Sequence, residues 1–120
     1  MKGDTYHMTL LFDFYGELLT DKQKELFDLY YNDDLSLTEI SETVGISRQG
    51  VRDAIVRAEE TLLDTEKKVG LVKKYAAISE KIGKIGDCAH YLSQMNSGKN
   101  KDFEMAAKIS EILKLVGELK

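Results

Sequence analysis

Three arginines and a glutamine occupy neighbouring positions between Ser47 and Ala58, and side chains of this kind can bind duplex DNA. In the major groove, arginine can form two hydrogen bonds with guanine, and glutamine can form two with adenine. A serine in front of a helix can cap it and also contact phosphate. We therefore predict a DNA-binding face made of six residues: Ser47, Arg48, Gln49, Arg52, Asp53 and Arg57.

A helix-turn-helix unit would hold these side chains in place. Ser36 and Glu39 have the spacing of a capping box, which predicts the start of a short helix. Gly45 can end that helix in a left-handed conformation, Ile46 is expected to plug the turn, and Ser47 is expected to cap the second helix. In such a unit the first helix braces the second, whose N-terminal turns enter the major groove. The alternative interpretation is a plain helical bundle with arginines on its exposed face.

Two more helices are predicted in front of this unit. Apolar residues recur at steps of three and four from Tyr6 to Leu19, which indicates a first helix. Thr20 and Gln23 form a second capping-box pattern, and the helix that follows should end near residues 32–34. These two helices would cover the core of the helix-turn-helix unit.

The residues after Gly70 predict a helical hairpin. Seven apolar or small residues repeat with the spacing of a heptad seam: Leu71, Tyr75, Ile78, Ile82, Ile85, Ala89 and Leu92. The phase of the apolar pattern changes at Gly70, so we expect a break there, and residues 96–100 should form a loop before a last helix capped by Asp102. We predict that the seam is a homodimer interface. The alternative is a monomer whose hairpin folds back onto the core.

Composition favours a helical protein of the cytoplasm without catalytic, metal or cofactor sites. The 120 residues include no proline and one cysteine, Cys88, which cannot pair within the chain and fits a reducing compartment. No apolar run approaches the roughly 18 residues that span a bilayer, so we expect no membrane insertion. Cys88 and His90 would point about 200° apart on a helix. We therefore expect a packed thiol and no metal site, and we expect that the protein is not an enzyme.

The charge distribution limits how DNA could be bound. The net charge is −4, and residues 20–62 carry five basic and ten acidic groups, whereas residues 63–120 carry eleven lysines and eight acids. Within the acidic segment, residues 47–58 have a net charge of +2. Phosphate attraction per copy would be weak, because it depends on basic groups that displace counterions. Useful affinity would then require a dimer or a protein partner.

Three blocks resemble the YlxM family of small bacterial proteins: LFDFYGELLTDKQ (residues 11–23), LYYNDDLSLTEI (29–40) and GISRQGVRDAIVRAE (45–59). The resemblance covers about residues 6–69 and implies a helix-turn-helix similar to region 4 of sigma factors. It also implies a gene neighbourhood shared with the GTPase of the signal recognition particle. Family members usually have SRQAVYDNIKR where this chain has SRQGVRDAIVR, and Gly50, Arg52 and Val56 are among the positions that depart from the pattern.

Together these features predict an all-α protein with two parts. Residues 1–69 would form a sigma region 4-like helix-turn-helix domain that binds DNA, and residues 70–120 a long helical extension for dimerisation. The expected function is a DNA-binding transcriptional regulator associated with the signal recognition particle pathway. Its expected partners are double-stranded DNA, a second copy of the chain and components of that particle. The alternative is a protein- or ribonucleoprotein-binding adaptor of the targeting pathway that does not bind DNA.

Overall fold

The computed structural model describes residue 2 and residues 4–119, and the chain is all-α, as predicted. A 3₁₀ turn, Gly16–Leu18, follows the first of the α-helices. The helices are α1 (Thr5–Tyr15), α2 (Asp21–Tyr31), α3 (Leu37–Val44), α4 (Arg48–Val69), α5 (Leu71–Met95) and α6 (Phe103–Leu119). The chain divides into two compact units, residues 1–72 and residues 73–120.

The core of the first unit is built around α4, which packs against α1, α2 and α3. Four residues of α4 are completely buried at steps of three or four: Val51, Ile55, Ala58 and Leu62. They meet Leu11 of α1, Leu26 and Phe27 of α2, and Ile40 of α3, all of which are also completely buried. Because the buried residues of α4 form one stripe, its remaining faces are directed towards solvent.

The starts of α2, α3 and α4 are fixed by hydrogen bonds from neighbouring side chains. The capping boxes predicted at Thr20–Gln23 and at Ser36–Glu39 are both confirmed, with each side chain bonded to the other residue's backbone N–H. The Ser47 hydroxyl accepts a hydrogen bond of 3.0 Å from the Gly50 N–H, so its predicted role as the cap of α4 is also confirmed. These bonds satisfy backbone donors that a helix start otherwise leaves without partners.

Glycines end α3 and α4 as the sequence predicts. Gly45 (φ 76°) and Gly70 (φ 70°) both adopt the left-handed conformation, which is costly for residues with a Cβ atom. The break predicted at Gly70 is therefore confirmed: α4 ends at Val69 and α5 begins at Leu71.

Two details of the first unit differ from the sequence predictions. The first helix was expected to reach Leu19, but it ends at Tyr15 because the backbone of Tyr15 leaves the helical region and the chain tightens into the 3₁₀ turn. Ile46 does not plug the turn before α4. Its side chain is 36% exposed and extends over the first turn of α4, towards Gly50, which has no side chain to cover it.

The second unit contains an antiparallel pair of helical segments, residues 73–95 of α5 and the whole of α6, joined by the predicted loop. The Asp102 carboxylate accepts a hydrogen bond of 3.1 Å from the Met105 N–H, which confirms its capping role. Ala89, Ile109 and Val116 are buried in this unit. Cys88 is exposed, contrary to the expectation of a packed thiol. The side of α5 that meets Val116 of α6 contains Gly86, and Cys88 points about 200° away from it.

Candidate nucleic-acid interface

The six residues predicted to contact DNA lie at the start of α4 and are all exposed. Ser47 caps the helix, and the other five follow within its first three turns. Gln49, Asp53 and Arg57 lie on the side of α4 away from the completely buried Val51 and Ile55, and Arg52 lies on its flank. Ser47 and Arg48 are exposed because they stand at the N-terminal end of the helix. The packing of α4 against three other helices therefore fixes the orientation of this surface, and its side chains need not contribute to the core.

Asp53 holds two of its neighbours on this surface. The Gln49 Nε2 atom donates a hydrogen bond of 2.9 Å to Asp53 Oδ1. A guanidinium nitrogen of Arg52 lies 3.7 Å from the same oxygen. Gln49 and Asp53 are four residues apart, so the bond connects adjacent turns of one helix face. Both residues belong to the DNA-binding face predicted from the sequence, but their pairing was not predicted.

Arg48 and Arg57 form no ion pair within the part of the chain that the structure describes. Both side chains are exposed, at the first and third turns of α4 respectively. A guanidinium group that is free of intramolecular partners can bind a base edge or a phosphate without first breaking a bond. Arg48 and Arg57 are therefore available to bind DNA, whereas Arg52 already lies near the Asp53 carboxylate.

A shallow cavity of about 470 Å³ lies between the start of α2 and the first turns of α4. Its lining residues are Thr20, Lys22, Gln23, Gly50, Asp53, Ala54 and Arg57. Lys22 lies in the first turn of α2 and is not among the six residues predicted from the sequence. Its position two residues after the helix cap Thr20 was the available signal, but only the packing of α2 against α4 brings it near Arg57.

The predicted seam on α5 is only partly covered in the single chain. Ala89 is buried and Ile82 is half-buried, but the other members expose 45% to 52% of their surface: Leu71, Tyr75, Ile78, Ile85 and Leu92. Within the second unit, α6 has exposed apolar side chains of its own, including Met105, Leu115 and Leu119. Contiguous apolar surface of this kind usually marks a site of protein association.

Two kinds of feature are absent from the described residues, a metal-binding cluster and a membrane-spanning helix. Among them, no group of three or more histidine, cysteine, aspartate or glutamate side chains could hold a metal ion. None of the helices described combines the length and the hydrophobicity needed to cross a bilayer.

Comparison with known proteins identifies relatives of the whole chain. Residues 2–110 match the sequence profile of a family described as "Putative helix-turn-helix protein, YlxM / p13 like". A UPF0122 protein of Caldanaerobacter subterraneus subsp. tengcongensis is 58% identical over 88 residues, which are 73% of this chain and 75% of that protein. A UPF0122 protein of Thermoanaerobacter sp. (strain X514) is 46% identical over 119 residues, or 99% of this chain and 98% of the relative.

The match is not limited to the helix-turn-helix unit, because the family profile extends into α6 and the Thermoanaerobacter relative aligns over almost the whole chain. The resemblance recognised in residues 6–69 is thereby confirmed and extended. The fold, the exposed arginines of α4 and these matches agree, and the chain belongs to the YlxM/p13-like family of helix-turn-helix proteins.

Proposed function

We propose that this protein regulates transcription by binding a specific duplex DNA sequence through the first turns of α4. The observation that carries the proposal is the exposure of Arg48, Gln49, Arg52 and Arg57 in the first three turns of a helix that is held in place by a completely buried apolar stripe. In this proposal Arg48 and Gln49 contact base edges, and Arg52 contacts a base or anchors the helix. Ser47 and Arg57 contact phosphate, and Asp53 lies beside the bases.

The acidic surface around α4 makes each copy a weak DNA binder. Residues 20–62 carry a net charge of −5, so little attraction to phosphate is expected outside the arginines. Two or three phosphate contacts per copy predict that the logarithm of the affinity falls with the logarithm of salt concentration with a slope of roughly −2 to −3. Base contacts would then contribute a larger share of the affinity than in a basic DNA-binding domain.

We also propose that the protein acts as a homodimer through the seam from Leu71 to Leu92. The proposal is supported by the exposed apolar side chains of this seam and of α6. A two-fold interface would present two copies of α4 to a site with two related halves, so that two weak contacts act together. Association with the signal recognition particle pathway is part of the proposal and is supported by the sequence blocks between residues 11 and 59.

The competing function is that of a protein- or ribonucleoprotein-binding adaptor in the targeting pathway. The exposed apolar side chains of the second unit favour it, because they could bind another protein instead of a second copy. This function predicts binding to the particle's GTPase or RNA in the absence of measurable affinity for duplex DNA.

Single arginine substitutions test the DNA-binding proposal. Arg48→Ala should weaken binding to a duplex selected by the wild type by about 1–3 kcal/mol, or roughly 5- to 150-fold, if Arg48 makes a bidentate base contact. Arg57→Ala should weaken binding to all duplexes alike and reduce the salt slope by about 1. Fluorescence anisotropy with labelled duplexes measures both effects.

Lys108→Ala provides the matched control, because it removes one exposed cation from α6 instead of α4. It should leave the affinity for the selected duplex within about twofold of the wild type if the contacts lie on α4. Equal affinities of the wild type and Arg48→Ala would remove Arg48 from the interface, and equal losses in all three variants would indicate a general effect of charge.

A further inference from the structure

Asp53 and Gln49 form a pair whose chemistry defines what the exposed face of α4 can recognise. The Gln49 Nε2 atom lies 2.9 Å from Asp53 Oδ1, and both side chains are exposed at positions one helical turn apart. An ionised carboxylate accepts hydrogen bonds and cannot donate them. The amide of Gln49 must therefore direct its NH₂ group, and not its carbonyl oxygen, towards Asp53.

This fixed orientation determines which groups of Gln49 remain for a base. One N–H is bonded to Asp53, which leaves the second N–H as a donor and Oε1 as an acceptor. In the major groove, adenine presents the complementary pair, an acceptor at N7 and a donor at N6. Guanine presents two acceptors, N7 and O6, so it can satisfy the free N–H but leaves Oε1 facing another oxygen.

We propose that Asp53 is a positioning residue that orients the Gln49 amide to recognise an adenine in the major groove. The inference rests on the proposed function and specifies the base that this part of the site selects. Arg52 contributes to the arrangement, since its guanidinium group lies 3.7 Å from the same carboxylate oxygen and helps to hold the carboxylate in place. Asp53 also disfavours any binding mode that would bring phosphate next to Gln49, because like charges repel.

The test uses the full-length protein and a duplex that the wild type enriches from a random pool. Within that duplex, replacing the adenine contacted by Gln49 with guanine should weaken wild-type binding by roughly 5- to 150-fold. Asn can donate or accept a hydrogen bond, so in Asp53→Asn the Gln49 amide is no longer fixed in one orientation. This variant should bind duplexes in general more tightly and should lose most of the preference for adenine over guanine.

Two further variants separate positioning from charge. Gln49→Glu removes the amide donor and should abolish the preference for adenine at the same position. Like Asp53→Asn, Glu42→Gln removes one negative charge from an exposed position of the first unit. Because Glu42 lies on α3 and not on α4, this variant should leave the base preference unchanged. Circular dichroism melting curves establish that all variants are folded.

The outcomes distinguish this inference from the proposed function. Full adenine preference in Asp53→Asn would overturn the inference while duplex binding by the wild type remained. An enriched duplex in which no position responds to Gln49→Glu would overturn it as well. If the wild type enriches no duplex at all, the proposed function fails first. Loss of the adenine preference in Asp53→Asn and in Gln49→Glu, with the preference intact in Glu42→Gln, supports the inference that Asp53 orients Gln49.

Discussion

At the scale of single residues, Tyr15 and Glu66 join the first helix to the end of α4. The Tyr15 hydroxyl donates a hydrogen bond of 2.6 Å to Glu66 Oε1 and accepts one of 3.1 Å from the Leu71 N–H. The Val72 N–H donates to the same Glu66 oxygen. Two side chains thus satisfy two backbone donors at the start of α5, where the preceding residue, Gly70, has no side chain that could act as a cap. Burial, together with the hydrogen bond to Glu66, raises the pKa of Tyr15 above its usual value.

Replacing Tyr15 with phenylalanine should therefore destabilise the first unit. The substitution keeps the ring in the core but leaves the Leu71 N–H and the Glu66 carboxylate without their shared partner. We expect a lower urea midpoint for Tyr15→Phe than for the wild type. Tyr6→Phe is the control: Tyr6 is 77% exposed, so its loss should change the stability by less than about 0.5 kcal/mol. Equal midpoints for Tyr15→Phe and the wild type would show that the network does not stabilise the fold.

The pKa of Tyr15 adds a prediction about pH. A raised pKa means that the fold favours the protonated hydroxyl, so the stabilisation is complete below the pKa of an unfolded tyrosine, about 10, and is lost as the pH rises through the higher folded value. The difference in urea midpoint between the wild type and Tyr15→Phe should be smaller at about pH 11 than at about pH 8. A difference that grows with pH would contradict this assignment.

At the scale of helices, glycines define where the elements end. Gly70 has a φ of 70° with open space around its Cα atom, so a side chain there would meet no neighbour but would strain the backbone. Gly83 lies inside α5, also with open space around it. The same substitution should thus have opposite effects at the two positions, because only one of them requires a left-handed conformation.

We predict that Gly70→Ala lowers the stability by about 1–2 kcal/mol, the cost of a left-handed conformation for a residue with a Cβ atom. Gly83→Ala should raise it by about 0.5–1 kcal/mol, because alanine loses less conformational freedom in a helix interior. Thermal unfolding followed by circular dichroism at 222 nm measures both. A stabilising Gly70→Ala would mean that α4 and α5 can join into one continuous helix.

The sequence predicts these helix boundaries well because the interactions that set them are local. A capping box connects residues three positions apart, and a glycine at a helix end acts through its own backbone. Side-chain environments depend on distant parts of the chain, and there the predictions are less successful. Cys88 is more exposed than expected, because its burial depends on where α6 lies. Ile46 is also more exposed than expected, although its neighbour Gly50 is only four positions away. The pairing of Gln49 with Asp53 follows from their four-residue spacing and could have been inferred from it.

At the scale of the whole molecule, the second unit exposes a series of large apolar side chains. Exposed apolar side chains occur on both helical segments of this unit, with Ile78, Ile85 and Leu92 on the seam of α5 and Leu115 and Leu119 on α6. The seam has the heptad spacing that allows helices from two copies to pack together. We propose a homodimer as the assembly that covers this surface.

Light scattering of the full-length protein at micromolar concentration should give twice the chain mass of 13.6 kDa.

Ile85→Asp places a charge on the exposed side of the seam and should yield a folded monomer, because a buried unpaired charge is costly in an interface. Ala76→Asp introduces the same charge on the opposite face of α5 and should remain dimeric. A wild-type mass near 13.6 kDa would rule out the dimer. Unfolding of Ile85→Asp would instead assign the seam to the core of the second unit.

The central claim is that the first turns of α4 bind a specific duplex, and selection from a pool of random duplexes tests it most directly. The wild-type protein should enrich one sequence family at about 50 mM and at about 150 mM salt. A variant in which Arg48, Gln49 and Arg52 are all alanine should enrich none. Absence of enrichment by the wild type at the lower salt concentration, with the protein folded, would contradict the account and favour the adaptor function.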